Sequence, residues 1–308
     1  MTTRFYSHPV FLEHLTPAGH PERPDRLRAI SRRLEDGAFD ALERLEPEPA
    51  DASLALLAHP ESHLAAVQKL IPEEGLTRVD SDTSASPRTW DALMLAIGAS
   101  TAAVDDVFSR KADSAFVAAR PPGHHAEATK AMGFCFFNHA AIAARYAQKT
   151  YGAERVAIVD WDVHHGNGTQ DIFWNDPSVL YCSTHQLPLF PGTGAKTETG
   201  AGNIVNAPLA ARDGSSQFRE AFNSRVLPAL KEFQPDFVII SAGFDAHHRD
   251  PLGEINLVED DFDWATGKMM DVAARHANGR LVSLLEGGYD LEGLSSSVAT
   301  HLTRLMKG

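Results

Sequence analysis

Five short apolar runs rich in β-branched residues alternate with longer segments of helical composition and spacing, which restricts the chain to one class of architecture. The runs are Ser114–Ala119, Arg155–Asp160, Val179–Ser183, Phe237–Ala242 and Arg280–Leu285; the helical segments are Trp90–Phe108, Asn138–Lys149, Phe218–Phe233 and Asp260–Ala277. A strand covered on both faces reads as a continuous apolar run, and a helix-length connection lets the next strand lie parallel to it. The expected fold is α/β, with a central, mostly parallel sheet and helices on both faces. No repeat or low-complexity linker interrupts the sequence, so residues 1–308 read as a single domain with several long loops. The acidic Glu43–Asp51 segment, with Pro47 and Pro49, reads as a surface connection.

Each apolar run is followed at once by a polar segment: Arg120–Ala126, Trp161–Thr169, Thr184–Gly194, Gly243–His248 and Glu286–Asp290. In open parallel sheets ligands bind beyond the carboxyl ends of the strands, so these loops should converge on one site.

Asp162 and His164 stand two residues apart just after the Val156–Val159 run, so in an extended segment both side chains point the same way. Asp245, at the end of another run, offers a third ligand. Two carboxylates and one imidazole, with a position left for water, make a catalytic type of zinc site, although iron(II) or another divalent ion suits the same nitrogen and oxygen donors. Asp-x-His alone is weak evidence and by itself reads more readily as a turn with incidental polarity. Its place after an apolar strand, in Trp161-Asp162-Val163-His164-His165-Gly166-Asn167-Gly168, is what gives it weight. The Arg120–Ala126 loop, stiffened by Pro121 and Pro122, presents His124 and His125 side by side, and imidazole is the side chain suited to proton transfer near neutrality. Tyr289, in Glu286-Gly287-Gly288-Tyr289, reads either as packing or as a hydroxyl donor to an oxyanion.

The net charge of −13, from 28 basic and 41 acidic residues, argues against general affinity for a nucleic-acid backbone. Cys135 and Cys182 both lie in apolar runs and read as buried free thiols. With no apolar N-terminal core and no stretch of membrane-spanning length, the expectation is a cytoplasmic protein that engages no membrane.

The motifs Arg-Pro-Pro-Gly-His-His-Ala (120–126), Gly-Phe-Cys-Phe-Phe-Asn (133–138), Asp-Trp-Asp-Val-His-His-Gly-Asn-Gly-Thr-Gln (160–170), Ala-Gly-Phe-Asp-Ala (242–246) and Glu-Gly-Gly-Tyr (286–289) occur in that order. His20-Pro21-Glu22-Arg23-Pro24 precedes them. In these the chain resembles the histone deacetylase superfamily, in its class II and bacterial amidohydrolase-like branch. The resemblance implies the arginase-like α/β fold and a zinc-dependent deacylase in which Asp162, His164 and Asp245 hold the metal. It implies His125 as general base and then acid, His124 as its electrostatic companion oriented by Asp160, and Tyr289 as donor to the carbonyl oxygen. Metal-activated water then attacks the amide, and a free amine and a carboxylate leave.

Asn167 stands where class I relatives carry an Asp beside the second histidine. A neutral amide stabilises an imidazolium less, so His125 is expected to stay neutral and act as base. The resemblance also implies structural potassium, one ion on oxygens of Asp160, Asp162, His164, Ser183 and Thr184 and a second near Phe173, Asp176, Val179 and Asn203.

By the same resemblance Gly133, Phe134 and Phe190 form the aromatic walls of an acyl-lysine tunnel. Leu252 falls where the class IIb polyamine deacetylase carries a selecting Glu, and an apolar side chain cannot make that charge-assisted contact. Acyl-lysine in proteins or peptides, acetyl-lysine foremost, is therefore the expected substrate. Asp80 and Asp82 read as a solvated loop, as a contact to substrate backbone, or as a charge for an amine. The alternatives are an amidohydrolase of acetylpolyamines or other small acylated amines, a non-catalytic acyl-lysine binding module, and a binuclear hydrolase of arginase type. The last needs further carboxylates where His124 and His125 stand. Monomer and homo-oligomer are equally open.

Overall fold

A computed structural model describes residues 1–308. Ten strands occur: β1 (Thr3–Tyr6), β2 (Glu43–Leu45), β3 (Thr77–Arg78), β4 (Ser84–Ala85), β5 (Ser114–Val117), β6 (Val156–Asp160), β7 (Val179–Gln186), β8 (Ile204–Leu209), β9 (Phe237–Ala242) and β10 (Leu281–Leu285). Eight form one sheet in the order β2-β1-β5-β10-β9-β6-β7-β8, and every pairing in it is parallel. The five strands expected from sequence are its five central members. Around them stand α1 (Asp25–Arg33), α2 (Glu61–Leu70), α3 (Thr89–Phe108), α4 (His139–Tyr151), α5 (Asn167–Phe173), α6 (Ser215–Ala221), α7 (Leu227–Phe233), α8 (Glu259–His276) and α9 (Leu291–Lys307). No helix is long and apolar enough to cross a membrane.

The two faces of the sheet are covered by different helices, as strand periodicity requires. Ser283 pairs in register with Ile240, and Phe237, three residues from Ile240, faces the other way. On the first side His301 of α9 bonds Ser283 Oγ at 2.9 Å and Thr266 Oγ1 of α8 at 2.6 Å. Burial holds this imidazole down at about 3, so it ties α8, α9 and β10 together as a neutral group. On the other side Phe108 of α3 meets Phe237 edge-on, with ring centroids 5.3 Å apart. The core runs continuously from Phe5 to Leu305.

Three expectations need correction. Glu43–Leu45 is not merely a surface connection; it is the edge strand β2, paired with β1 from Arg4 to Tyr6. Strand β7 continues through Gln186, so the loop expected from Thr184 begins later. Phe218–Phe233 is not one α-helix: a π turn at Phe222–Val226 separates α6 from α7, and Leu227 N–H bonds Phe222 O. Pro228 has no N–H to donate, and the ladder widens in the turn before it.

Helix ends place the site loops. Asn138 caps α4 by accepting from Ala141 N at 2.9 Å, and Gly152, in the left-handed region, ends it. Asp290, next to Tyr289, caps α9 by accepting from Gly293 N at 2.7 Å.

Candidate metal centre and active site

All five strands are parallel neighbours, so their carboxyl ends deliver the loops after β5, β6, β7, β9 and β10 to one edge of the sheet. Asp162 and His164 lie in the loop after β6 and Asp245 in the loop after β9; all three are buried. The segment carrying Asp162 and His164 is irregular rather than extended, yet both side chains reach the same point. His164 Nδ1 lies 3.1 Å from Asp162 Oδ1 and 3.1 Å from Asp245 Oδ2, and one donor atom from each residue falls within 4.8 Å of the others.

Backbone amides aim the carboxylates. Asp162 accepts from His164 N at 2.9 Å and from Gly287 N at 2.8 Å, and Asp245 accepts from Val163 N at 2.8 Å. Gly287 is obligatory in this packing, since a Cβ there would collide with Asp245 Oδ2 and stand 2.5 Å from Asp162 Oδ2. Donors bonded to zinc at ~2.0–2.2 Å and tetrahedral angles stand about 3.4 Å apart, so this nitrogen and oxygen set fits a divalent ion. Its electrostatics agree. Burial works against charge on all three, and the two carboxylates raise His164 to about 10, while burial and the charge of Asp162 push Asp245 up to about 7. Two buried carboxylates thus hold a proton in the space between the donors, where a cation would satisfy them better.

His124 and His125 follow β5 with ring centroids 4.0 Å apart. His124 Nδ1 lies 3.0 Å from Asp160 Oδ2, which also accepts from Tyr181 OH at 3.0 Å. Burial opposes charge on His124, but Asp162, Asp160 and Glu286 together raise it well above the usual imidazole range. His125 goes the opposite way. Burial, then the charges of His124 and His164, hold it well below that range, and its Nδ1 lies 2.8 Å from Asn167 Oδ1. Neighbouring imidazoles are therefore split into one charged and one neutral partner.

His125, His164 and Tyr289 line one cavity of about 440 Å³, together with Phe134, Phe190 and Leu252. Phe190 packs edge-on to His125 with centroids 5.1 Å apart, and Phe134 packs edge-on to Tyr289 at 5.9 Å. Gly133 has φ +56°, and a Cβ there would stand 2.6 Å from His125 Cδ2; the absent side chain lets the Phe134 wall close onto the imidazole. Burial pushes the Tyr289 phenol well above its usual range, so it keeps its proton and can donate. Asp80 and Asp82 separate. Asp80 accepts from Asp82 N at 3.0 Å and Thr83 N at 2.6 Å and holds the turn, whereas Asp82 lines the cavity.

Ser183 Oγ is taken by His185 Nδ1 at 2.8 Å, while Thr184 Oγ1 is buried without a partner. The carbonyls of Phe173, Asp176 and Val179 do converge, but on the side-chain amide of Asn203, at 2.8, 3.0 and 2.8 Å. An NH2 group has two hydrogens for these three carbonyls, so the amide cannot satisfy all of them at once.

Several site residues escaped the sequence reading. Glu286 accepts from Gly123 N at 2.8 Å, His124 N at 3.1 Å and Ser241 Oγ at 3.1 Å, and ties the histidine loop to β9 and β10. Arg26 sits 5.0 Å from the Tyr289 ring centroid and donates to Gly288 O at 2.6 Å. Asp250 accepts from Tyr289 N at 2.6 Å, Asp290 N at 3.2 Å and Leu252 N at 3.0 Å. Glu286 and Asp250 stood inside motifs read only for Tyr289 and Leu252; the placement of Glu286 immediately after β10 was a usable signal, whereas Asp250 lies well beyond the end of β9 at Ala242 and had none.

The histone deacetylase domain family matches residues 20–305. A probable deacetylase of Archaeoglobus fulgidus is 38% identical over 300 residues, covering 95% of this chain and 83% of its own. A histone deacetylase-like amidohydrolase of Pseudomonas aeruginosa is 38% identical over 277 residues, covering 88% and 73%. The crystal structure of the HDA15 HD domain superimposes with a TM-score of 0.92 at 37% identity, over 99% of this chain and 88% of that one. Family, fold and a loop-built site at the carboxyl edge of a parallel sheet agree: the chain belongs to the histone deacetylase family of deacetylases and amidohydrolases.

Proposed function

We propose that residues 1–308 act as one catalytic domain that hydrolyses the amide of acyl-lysine, acetyl-lysine foremost, in proteins or peptides, with zinc held by Asp162, His164 and Asp245. The observation that carries this reading is the shared cavity, where His164 of the three-donor cluster, a neutral imidazole and a protonated phenol meet behind two aromatic side chains. A bound divalent ion supplies Lewis acidity at the amide carbonyl and acidifies water. Iron(II) suits the same donors.

The protein's own groups do the rest. Phe134 and Phe190 clasp the acyl-lysine stem and exclude water around it. Tyr289 donates its hydroxyl to the carbonyl oxygen as charge develops there. His125, kept neutral by burial and by its charged neighbour, takes the proton of the attacking water through its second ring nitrogen and returns it to the departing amine. His124 stays charged against Asp160 and adds positive potential beneath the reacting carbonyl. Water and amide are consumed, and amine and carboxylate leave.

Leu252 in the cavity lining favours an apolar lysine stem over a polyamine, whose charge it cannot pair. Asp82 in the same lining favours the second reading, a small acylated amine with a cationic tail. A structural potassium ion is proposed near Ser183 and Thr184, where the unpartnered Thr184 hydroxyl supports it, and a second near the converging carbonyls of Phe173, Asp176 and Val179. A cytoplasmic location is proposed on the expectation from sequence, and two plant relatives are named as chloroplastic.

The test is a panel of acetyl-lysine peptide, longer acyl-lysines and acetylpolyamines with zinc-loaded enzyme. Preference for acetyl-lysine peptide supports the first reading and preference for acetylpolyamine the second. Full activity in both His125→Ala and Tyr289→Phe would overturn the assigned chemistry.

A further inference from the structure

An asparagine amide can present either its oxygen or its nitrogen to a neighbour, and the proton of a neutral imidazole can sit on either ring nitrogen. At Asn167 a third residue decides both. Asn167 Oδ1 faces His125 Nδ1 at 2.8 Å, and on the other side Asn167 Nδ2 donates to Glu127 Oε1 at 2.7 Å, with Met132 Sδ at 3.4 Å. An ionised carboxylate accepts and never donates, so only the NH2 of Asn167 can bond Glu127. The carbonyl must then face His125, and that contact is a hydrogen bond only if Nδ1 carries the proton. A neutral imidazole has one N–H, so Nε2 keeps its lone pair.

Both partners are held from behind. Glu127 exchanges backbone hydrogen bonds with Lys130 at 3.0 and 3.4 Å, and Ala128 N donates to Asp171 Oδ2 of α5 at 2.9 Å. Asn167 opens α5, whose Gly168 and Thr169 amides donate to His124 O at 3.1 and 3.2 Å.

We propose that Glu127 is a positioning residue that sets the amide orientation of Asn167 and, through it, the base-competent tautomer of His125. This rests on the reading of His125 as proton carrier. Glu127 touches no reacting atom and is only partly buried, so its substitution leaves the core intact.

The test reads the tautomer directly, by nitrogen-15 NMR of the histidine side chains in the chelated protein, with His125 assigned by its disappearance in His125→Ala. The wild-type protein is expected to show the proton on Nδ1. Glu127→Lys supplies donors only, reverses Asn167 and moves the proton to Nε2; with zinc restored, kcat falls about 100-fold while KM changes by less than about twofold. Glu127→Gln can accept or donate and populates both tautomers. Adding Asn167→Asp to Glu127→Lys provides an acceptor that needs no orienting, so the Nδ1 proton returns and at least about tenfold of the lost kcat is regained.

A Glu127→Lys protein that keeps the proton on Nδ1, a Glu127→Gln protein with the wild-type tautomer alone, or a double variant without recovery of the tautomer overturns the proposal. A reversed tautomer with undiminished kcat upholds the orienting role of Glu127 and overturns the reading of His125 as proton carrier.

Discussion

Metal binding at Asp162, His164 and Asp245 should release protons, and the structure says how many. In the protein prepared by chelation, His164 titrates at about 10 because burial is outweighed by two carboxylates whose oxygens stand 3.1 Å from Nδ1. Zinc needs that nitrogen, so an entering ion displaces its proton at any pH below that value. Both groups have raised pKa values, so protons compete with metal more strongly as pH falls. From pH 10 down to about 7 one proton from His164 is displaced, and apparent affinity drops about tenfold, or ~1.4 kcal/mol, per unit. Below about 7 Asp245 adds a second proton, and the slope steepens toward about 100-fold per unit. His124, with Nε2 3.8 Å from Asp162 Oδ2, loses part of its partner's charge and adds to the release. Competition against a zinc-binding dye, with calorimetry in two buffers of different ionisation enthalpy, reads both slope and proton count. At about pH 8 at least one proton per zinc is expected. A flat affinity with no proton released would refute the assignment of His164 as a ligand through Nδ1.

Asp250→Asn leaves one acceptor oxygen for three N–H donors, one buried and two part-buried, so a loss of about 1–3 kcal/mol in chemical denaturation and a fall in kcat of at least about tenfold are expected. Unchanged stability and kcat would show that the Tyr289 loop is held by other contacts. Leu252→Glu introduces a carboxylate into the cavity lining and should raise the ratio of acetylpolyamine to acetyl-lysine kcat/KM by about tenfold or more. An unchanged ratio would remove Leu252 from the selectivity argument.

The central sheet was legible because its strands are buried on both faces and therefore read as unbroken apolar runs. Edge strands carry no such signal. Glu43–Leu45 is three residues, two of them charged and exposed, and Ile204–Leu209 contains Asn206 and Pro208, which an edge tolerates and a central strand does not. Helix α9 is rich in Ser and Thr, poor helix formers by themselves, and is carried by packing: His301, Val298 and Leu302 are fully buried. The three metal donors were readable from their positions after strands, since parallel topology brings all such loops to one edge. What pairwise spacing could not reveal was the support behind them. Glu127, Asp250, Glu286 and Arg26 act on backbone groups or on another side chain across as many as 262 positions in sequence, contacts that exist only once the sheet has formed.

The most direct measurement is amine release from an acetyl-lysine peptide by one preparation of the enzyme, first chelated and then titrated with zinc. Activity should be absent after chelation, rise to a plateau at one equivalent of zinc, and stay lost in Asp162→Ala and Asp245→Ala at the same zinc level. Undiminished hydrolysis after verified metal removal, or full activity in those variants, would contradict the account.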